Sequence, residues 1–284
     1  MRELLPAEGE WRPLLEMALA EDLGEAGDIT TVAIIPPEAA ATARLVAREP
    51  GVAAGVPIAL QAFAMVDPAV TWSIGVGEGH PFFAGTLLAE VTGPAAPILT
   101  AERTALNLLA RTCGIATRTA AVVAAVAHTG VEVAATRKTT PGLRVLEKYA
   151  VVCGGGSPHR FGLHDAVLIK DNHLAVVGSV GAAVEAARRR VAPGVVVEVE
   201  VTTLDGLDEA IAAGADVVLL DNMDPAGLRL AVERAAGRVR LEASGGITPD
   251  TVVAFAETGV DVVSLGWLTH SAPALDVALD FEPI

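Results

Sequence analysis

Aromatic residues make up only 4% of this 284-residue chain, with a single tyrosine, so its core must be built from aliphatic side chains. These are plentiful: 52% of residues are hydrophobic, which excludes a disordered chain. Cysteine is nearly absent. Cys113 and Cys153 form no paired motif, which excludes a disulfide scaffold and leads us to expect a reducing, cytoplasmic setting. Long apolar runs are missing as well. Uncharged stretches such as 51–66 are broken by Gly, Pro and Gln and fall short of the ~18 residues a spanning helix needs. The opening MRELLPAEGEWRP has no apolar centre, so no secretory signal is expected. Positive charge is scarce too: 20 Lys and Arg face 35 Asp and Glu, for a net charge of −15. Such a surface disfavours nucleic acid and anionic membranes.

The few cations are not spread evenly. Residues 137–170 hold Arg137, Lys138, Arg144, Lys148, Arg160 and Lys170 against only Glu147 and Asp165. A basic patch on an acidic body suits a small anionic ligand, although a basic surface loop would read the same way. Only three lysines occur, Lys138, Lys148 and Lys170, and all lie in or beside this patch. Lysine offers a compact ammonium where arginine offers a planar fork, so its retention in an arginine-rich chain hints at a specific task.

Two regions differ in rhythm. Before about residue 103, an amphipathic helix at 11–21 is followed by alternating segments at 43–48, 70–74 and 86–91, separated by Pro and Gly. Period-two alternation predicts half-buried antiparallel strands, hence an α+β region. Thr100 is placed to cap a helix over 101–111, with a second helix near 118–128. From 131 onward, aliphatic strands at 131–135, 166–169, 195–201, 216–220, 239–243 and 261–265 alternate with Ala-rich helices at 180–190, 205–213 and 225–236. Repeated βα units predict a parallel sheet, and six strands favour a (β/α) barrel or an open relative of it over a doubly wound sheet, since GxGxxG is absent. The expected division is a sandwich domain over 1–112, a barrel over 113–270 and a tail over 271–284 that packs back on the N-terminal domain.

The chemistry gathers at the strand ends. The first barrel strand leads to Arg137 and Lys138, the second to Lys170, and the third carries Glu198 and Glu200 on one face. The fourth ends in Asp221, the fifth leads to Ser244-Gly245-Gly246, and the sixth to Gly266. Active sites of parallel barrels sit at the C-terminal ends of the strands. Late loops of such barrels often bind phosphate through backbone N–H groups, which glycine allows to approach closely. A structural ring of ion pairs is the plainer alternative. The Gly154-Gly155-Gly156 run reads as a flexible loop able to close over a ligand. His159 beside Arg160 suits a carboxylate, since both present N–H donors. His159, His164 and His173 match no common zinc spacing, and no GxSxG, Walker A or Cys-His nucleophile pattern occurs. The acidic strand ends suit a divalent cation or sugar hydroxyls.

Several stretches resemble the quinolinate phosphoribosyltransferase family. They are EDLG with GDITT at 21–31, ERTALN at 102–107, TRKTTPGLR at 136–144, GSPHRFGLHD at 156–165, KDNH at 170–173, EVEV at 198–201, LDNM at 220–223 and SGGI at 244–247. They follow the family's order across nearly the whole chain, and TRKTTPGLR is the most specific. The resemblance implies an N-terminal α/β sandwich, an open TIM-like barrel and a homodimer, or a higher oligomer, whose active site is shared between subunits. It implies conversion of quinolinate and phosphoribosyl pyrophosphate to nicotinate mononucleotide, CO2 and pyrophosphate with Mg2+, a step of NAD biosynthesis. By the same resemblance, Arg103, Arg137, His159 and Arg160 hold the quinolinate carboxylates, with Arg103 reaching the neighbouring subunit's site. Lys138 and Lys170 lie between substrate and diphosphate. Glu200 and Asp221 face the ribose hydroxyls and the metal, which the substrate diphosphate also holds. Ser244, Gly245, Gly246 and Gly266 cradle the 5′-phosphate. Two rivals stay open: a phosphoribosyltransferase-like paralogue of the kind found beside molybdate transport genes, with another pyridine or an unknown substrate, and a non-catalytic anion-binding barrel.

Overall fold

The structure, a computed structural model, describes residues 5–284 and divides into two compact units. The first contains the chain up to Ala120 together with Thr139–Gly155 and Leu268–Ile284; the second contains Ala121–Lys138 and Gly156–Trp267.

In chain order the N-terminal elements are α1 (Glu8–Leu23), α2 (Ile29–Ile34), β1 (Ala40–Ala47), β2 (Gly51–Val52), α3 (Val56–Val66), β3 (Thr71–Ile74), β4 (Pro81–Phe82), β5 (Leu87–Pro94) and α4 (Ala95–Val126). Then come β6 (Glu132–Ala134), α5 (Arg144–Cys153), β7 (Val167–Ile169), α6 (Asp171–Val177), α7 (Val180–Arg188), β8 (Val197–Val201), α8 (Leu204–Ala212) and β9 (Val217–Asp221). The chain ends with α9 (Pro225–Ala235), β10 (Arg240–Ser244), α10 (Val252–Ala256), β11 (Val262–Ser264), α11 (Trp267–His270) and β12 (Val277–Pro283).

The first unit is built on a four-stranded sheet in the order β12-β1-β5-β3, its pairs antiparallel. Alternation on β1 buries Ala41, Ala43, Leu45 and Ala47, while Arg44 on the other face pairs with Glu90 at 3.1 Å and Glu282 at 2.8 Å. The buried face packs on α3 and α4 in a core of Leu15, Leu60, Phe63, Leu88, Ile98 and Leu109. The segment 277–283 supplies β12, the edge strand beside β1.

Three sequence expectations change here. Residues 95–126 form one helix, not two, and Thr100 lies within it, its hydroxyl donating to the Asp28 carboxylate at 3.1 Å rather than capping a terminus. Gly114 lies in the interval expected to separate two helices. It is instead a contact point: a Cβ there would lie 2.0 Å from the Pro273 carbonyl. The helix is long and apolar enough by composition to cross a membrane, but Ile98, Leu109 and Ile115 are fully buried. The second change concerns 113–120, 139–155 and 268–270, expected in the barrel but belonging to the first unit. Leu146 joins the first unit's core, and an ion pair ties segment 139–155 there as well. Arg111 of α4 donates to the fully buried Glu147 of α5 at 2.7 Å, to the Ala272 carbonyl at 2.9 Å and to the Thr269 carbonyl. Glu147 also accepts from Thr140 N–H at 3.0 Å and its hydroxyl at 2.7 Å. A buried carboxylate with this many donors fixes its surroundings. Nor is Gly154 part of a flexible loop: it is buried where a Cβ would meet the Ala116 carbonyl at 2.5 Å.

The second unit is a six-stranded parallel sheet in the order β6-β11-β10-β9-β8-β7, an open TIM-like barrel sheet with intervening helices. Each long helix starts on a side-chain cap. Ser179, Thr203 and Asp224 accept from the N–H groups of Ala182, Gly206 and Gly227 at the heads of α7, α8 and α9.

The close approach at Gly114 is testable. Gly114→Ala should cost about 1–3 kcal/mol through forced displacement of the 273–275 segment, read as a lower urea midpoint. An unchanged midpoint would contradict the tight packing of α4 against Pro273.

Candidate active site

Strand alternation places the charges. On β8, Val197, Val199 and Val201 are buried on one face, and Glu198 and Glu200 lie on the other. Paired residues of a sheet share a face. Glu200 pairs with Leu219, and Leu219 pairs with Glu242, so the three form one row across β8, β9 and β10. Asp221 pairs with Ser244 one step nearer the C-terminal ends. Glu198, Glu200, Asp221, Glu242 and Ser244 therefore face the same side.

The cations reach this side from loops. Segment 156–160 runs beside β6, with Ser157 N–H bonded to the Val133 carbonyl at 2.8 Å and Ala135 N–H to the Ser157 carbonyl at 2.9 Å. His159 follows with φ +53°, a left-handed backbone conformation uncommon outside glycine. Its Nε2 lies 3.0 Å from Glu242 Oε2 and 3.5 Å from Glu198 Oε2. Arg160 is half-buried, and its guanidinium is pulled below its ordinary pKa by burial and by neighbouring Arg137, while Glu198 and Asp165 oppose the shift. Lys170 follows β7, and its Nζ is 2.5 Å from Glu200 Oε2. Lys138 is exposed at the end of the loop after β6.

Glu198 is only 3% exposed. Burial first, then the like charge of Glu242, pushes its pKa up to about 7, against the pull of His159, Arg160 and Lys170. Two carboxylates on one buried face behave as a coupled pair that readily keeps a proton.

Beyond β10 the chain turns through Gly245 (φ +94°) and Gly246 (φ +64°). A Cβ on Gly245 would lie 2.4 Å from Asn222 Oδ1, so glycine is required both for conformation and for space. Asn222 is fixed in turn: its N–H bonds to the Ser244 carbonyl at 2.9 Å, and its side-chain amide donates to Asp221 at 2.6 Å. Gly266 follows β11, where Leu265 N–H bonds to the Ala134 carbonyl at 2.9 Å.

The second unit thus brings His159 and Arg160 together with Glu198, Arg137 near Arg160, and Lys170 with Glu200; Asp221 and Ser244 pair at one end of the sheet. Arg103 belongs to the first unit, exposed on α4. Sequence reasoning missed Glu242 as a site residue. Its signal was available, since counting back two from Ser244 along the strand gives Glu242 on the same face. The ligating atoms of His159, Glu198 and Glu242 lie within 4.8 Å of one another, a grouping able to hold a cation. Glu200 and Asp221 offer oxygen donors only, the set a hard cation such as Mg2+ prefers.

Cations clustered with carboxylates at the strand ends of an open parallel barrel, next to a double-glycine loop, define an enzyme-like site for a small anionic ligand. Family comparison is more specific. The quinolinate phosphoribosyl transferase N-terminal domain matches residues 28–113, and its C-terminal domain matches residues 115–280. The chain is 44% identical over 269 residues to a probable nicotinate-nucleotide pyrophosphorylase [carboxylating] of Bacillus subtilis (strain 168), covering 95% of this chain and 92% of that one. It is 45% identical over 276 residues to the nicotinate-nucleotide pyrophosphorylase [carboxylating] of Mycobacterium leprae (strain TN), covering 95% and 96%. The crystal structure of NadC from Streptococcus pyogenes superposes with a TM-score of 0.94 at 41% identity, covering 99% of each chain. The chain belongs to the quinolinate phosphoribosyl transferase family.

The raised Glu198 pKa predicts a pH effect on stability. The native state holds this proton more tightly than the unfolded chain, whose Glu titrates near 4.5. The associated stabilisation is therefore complete below that value and lost as pH rises through about 7. Glu198→Gln, which mimics the protonated acid, should remove this component and gain up to about 3 kcal/mol relative to wild type at pH 8 compared with pH 4.5. Urea unfolding across that range, without divalent cations, reads it; identical pH slopes in both proteins would contradict the shift.

Proposed function

We propose that this chain is a quinolinate phosphoribosyltransferase of the decarboxylating kind, converting quinolinate and phosphoribosyl pyrophosphate to nicotinate mononucleotide, CO2 and pyrophosphate. One observation carries the reading: the strand ends combine a carboxylate-binding group, Arg137, His159 and Arg160, with separate lysines and a double-glycine loop. Quinolinate needs the first. The phosphorylated sugar needs the others.

The residues suit the reaction in order. Arg137, His159 and Arg160 bind the two carboxylates, so that the pyridine nitrogen faces C1 of the ribose. Ser244, Gly245, Gly246 and Gly266 take the 5′-phosphate through backbone N–H groups. Lys138 and Lys170 meet the negative charge that grows on the departing pyrophosphate. Glu200 and Asp221 meet the ribose hydroxyls, and Glu200 also offsets the cationic character of the ribose as the C–O bond breaks. The oxygen donors of Glu200 and Asp221 would hold Mg2+ together with the diphosphate, and the cation when bound neutralises leaving-group charge. The nitrogen lone pair forms the bond to C1 and pyrophosphate leaves with the C–O electron pair. The resulting pyridinium accepts electron density as the C2–carboxylate bond breaks; CO2 departs and C2 takes up a proton. The retained carboxylate makes the product a nicotinate nucleotide. No protein nucleophile is required.

The proposal extends to assembly. Arg103, exposed on α4, supplies a carboxylate ligand to the site of a second copy in a homodimer, its planar fork suiting bidentate contact.

Release of labelled CO2 from carboxyl-labelled quinolinate, dependent on phosphoribosyl pyrophosphate, is expected of wild type; binding of both without release would favour the non-catalytic barrel. Lys138→Ala should lower kcat by ~10²-fold or more, and a change confined to the quinolinate KM would reassign it to substrate binding. Arg103→Ala and Lys138→Ala should each be nearly inactive alone. Mixed and refolded in equal amounts, they should recover about a quarter of wild-type activity, since half the dimers are hybrids with one intact site. Hybrids without recovery would place Arg103 in its own subunit's site, and an active Arg103→Ala homodimer would place it outside catalysis.

A further inference from the structure

Asn222 has no part in the reaction as drawn above, yet its side chain is held on both sides. The residue follows Asp221 directly, and its N–H bonds to the Ser244 carbonyl at 2.9 Å, just beyond the Asp221–Ser244 pair of β9 and β10. There the chain turns into the left-handed region, φ +53°. Glycine adopts that conformation without cost, and asparagine is among the few other residues that visit it. Conformation alone therefore does not call for a side chain at this position. The side chain is nonetheless committed at both ends, although the residue is exposed. Nδ2 donates to Asp221 Oδ2 at 2.6 Å. Oδ1 lies over Gly245, where a Cβ would come within 2.4 Å of it. The orientation is forced: a carboxylate only accepts, so the amide nitrogen faces Asp221 and the oxygen faces Gly245.

We propose that Asn222 is the positioning residue that orients the Asp221 carboxylate toward the ribose hydroxyls, with the bare Cα of Gly245 leaving the room in which the amide lies. This rests on the quinolinate phosphoribosyltransferase reading above. Asp221 ends its strand, and a carboxylate there turns about its side-chain bonds unless something holds it. A group that is free to turn loses that freedom when a ligand binds, and a group already held does not. The bond from Nδ2 to Oδ2 restricts the carboxylate in advance and leaves Oδ1 to accept from a hydroxyl. Asn222 thus acts through Asp221, so its effect follows the sugar and not the pyridine. Arg137, His159 and Arg160, which meet the quinolinate carboxylates, reach the sheet separately, from the connection after β6.

The test reads binding apart from turnover. Nicotinate mononucleotide carries the ribose hydroxyls but no diphosphate, so calorimetric titration in the presence of a chelator needs no metal. Asn222→Gly keeps the left-handed backbone and loses the amide; it should raise the Kd for this nucleotide ~5-fold or more over wild type. The Kd for quinolinate alone should stay within about two-fold, as for an uncoupled site. Asn222→Asp keeps the shape and tolerates the backbone conformation but sets a second carboxylate against Asp221, and should bind the nucleotide no better than Asn222→Gly. In turnover, Asn222→Gly should raise the KM for phosphoribosyl pyrophosphate by a similar ~5-fold while the quinolinate KM stays within about two-fold, a split that general loosening of the fold would not give. In an Asp221→Ala background, Asn222→Gly should add less than about two-fold. Wild-type binding by Asn222→Gly would overturn the proposal. So would wild-type binding by Asn222→Asp, which would leave shape as the only requirement, or equal weakening of both ligands, which would make the role structural. An undiminished effect without Asp221 would overturn it in favour of direct contact between Asn222 and the nucleotide. If Asn222→Gly fails to fold, Asn222→Asp decides. Wild type that neither binds nicotinate mononucleotide nor releases CO2 would defeat the quinolinate reading and this proposal with it; that failure shows in wild type, whereas failure of the proposal alone shows only in the variants.

Discussion

Two carboxylates of like charge, Glu198 and Glu242, are buried on one face of a parallel sheet, and the second unit is organised around that constraint. An unpaired buried charge costs several kcal/mol. Here the charges are met by His159 directly and by Arg160 and Lys170 electrostatically, and by a proton retained near neutral pH. His159 and Arg160 reach the sheet from the connection after β6 and Lys170 from the one after β7, so these two loops share a common electrostatic reference. The same acids that stabilise the cations limit how strongly those cations repel one another. Arg137 and Arg160 stand close enough for the charge of Arg137 to oppose that of Arg160. An anionic substrate completes a charge balance that the sheet has already half built.

The first unit solves a related problem with Arg111 and Glu147. That pair draws the 139–155 excursion and the 269–272 segment onto α4. It explains why the most specific stretch of the sequence, TRKTTPGLR, is divided between the units. Arg137 and Lys138 belong with the parallel sheet, whereas Thr140 and Arg144 belong with the helix that carries Glu147.

Much of this was legible in the sequence because alternation and strand spacing are local signals. All six parallel strands fall within a few residues of where periodicity places them, and the polar strand ends were readable as a group. What escaped notice was long-range. The 95–126 helix was expected as two, and the glycine at 114 within it is explained by the Pro273 carbonyl beside it. Arg111 carries no local mark of the buried acid 36 residues away. β12 is a short segment at the end of the chain whose role depends on the open edge of β1. Glu242 was hidden because a single glutamate in an aliphatic strand looks like an exposed position. Its burial follows from Glu198 and His159, which no window around residue 242 contains. Glycine runs were misleading for the same reason: Gly154 is packed, while Gly245 is shaped by Asn222, 23 positions earlier.

The central claim is that the cations at the strand ends of the second unit form a receptor for a pyridine dicarboxylate. A crystal structure of the protein grown with quinolinate, without phosphoribosyl pyrophosphate, tests it most directly. The account predicts quinolinate with its carboxylates within hydrogen-bonding distance of Arg137, His159 and Arg160, and its ring nitrogen turned toward the Glu200 and Asp221 side. Quinolinate bound away from these residues, or the site left empty at saturating concentration, would contradict it.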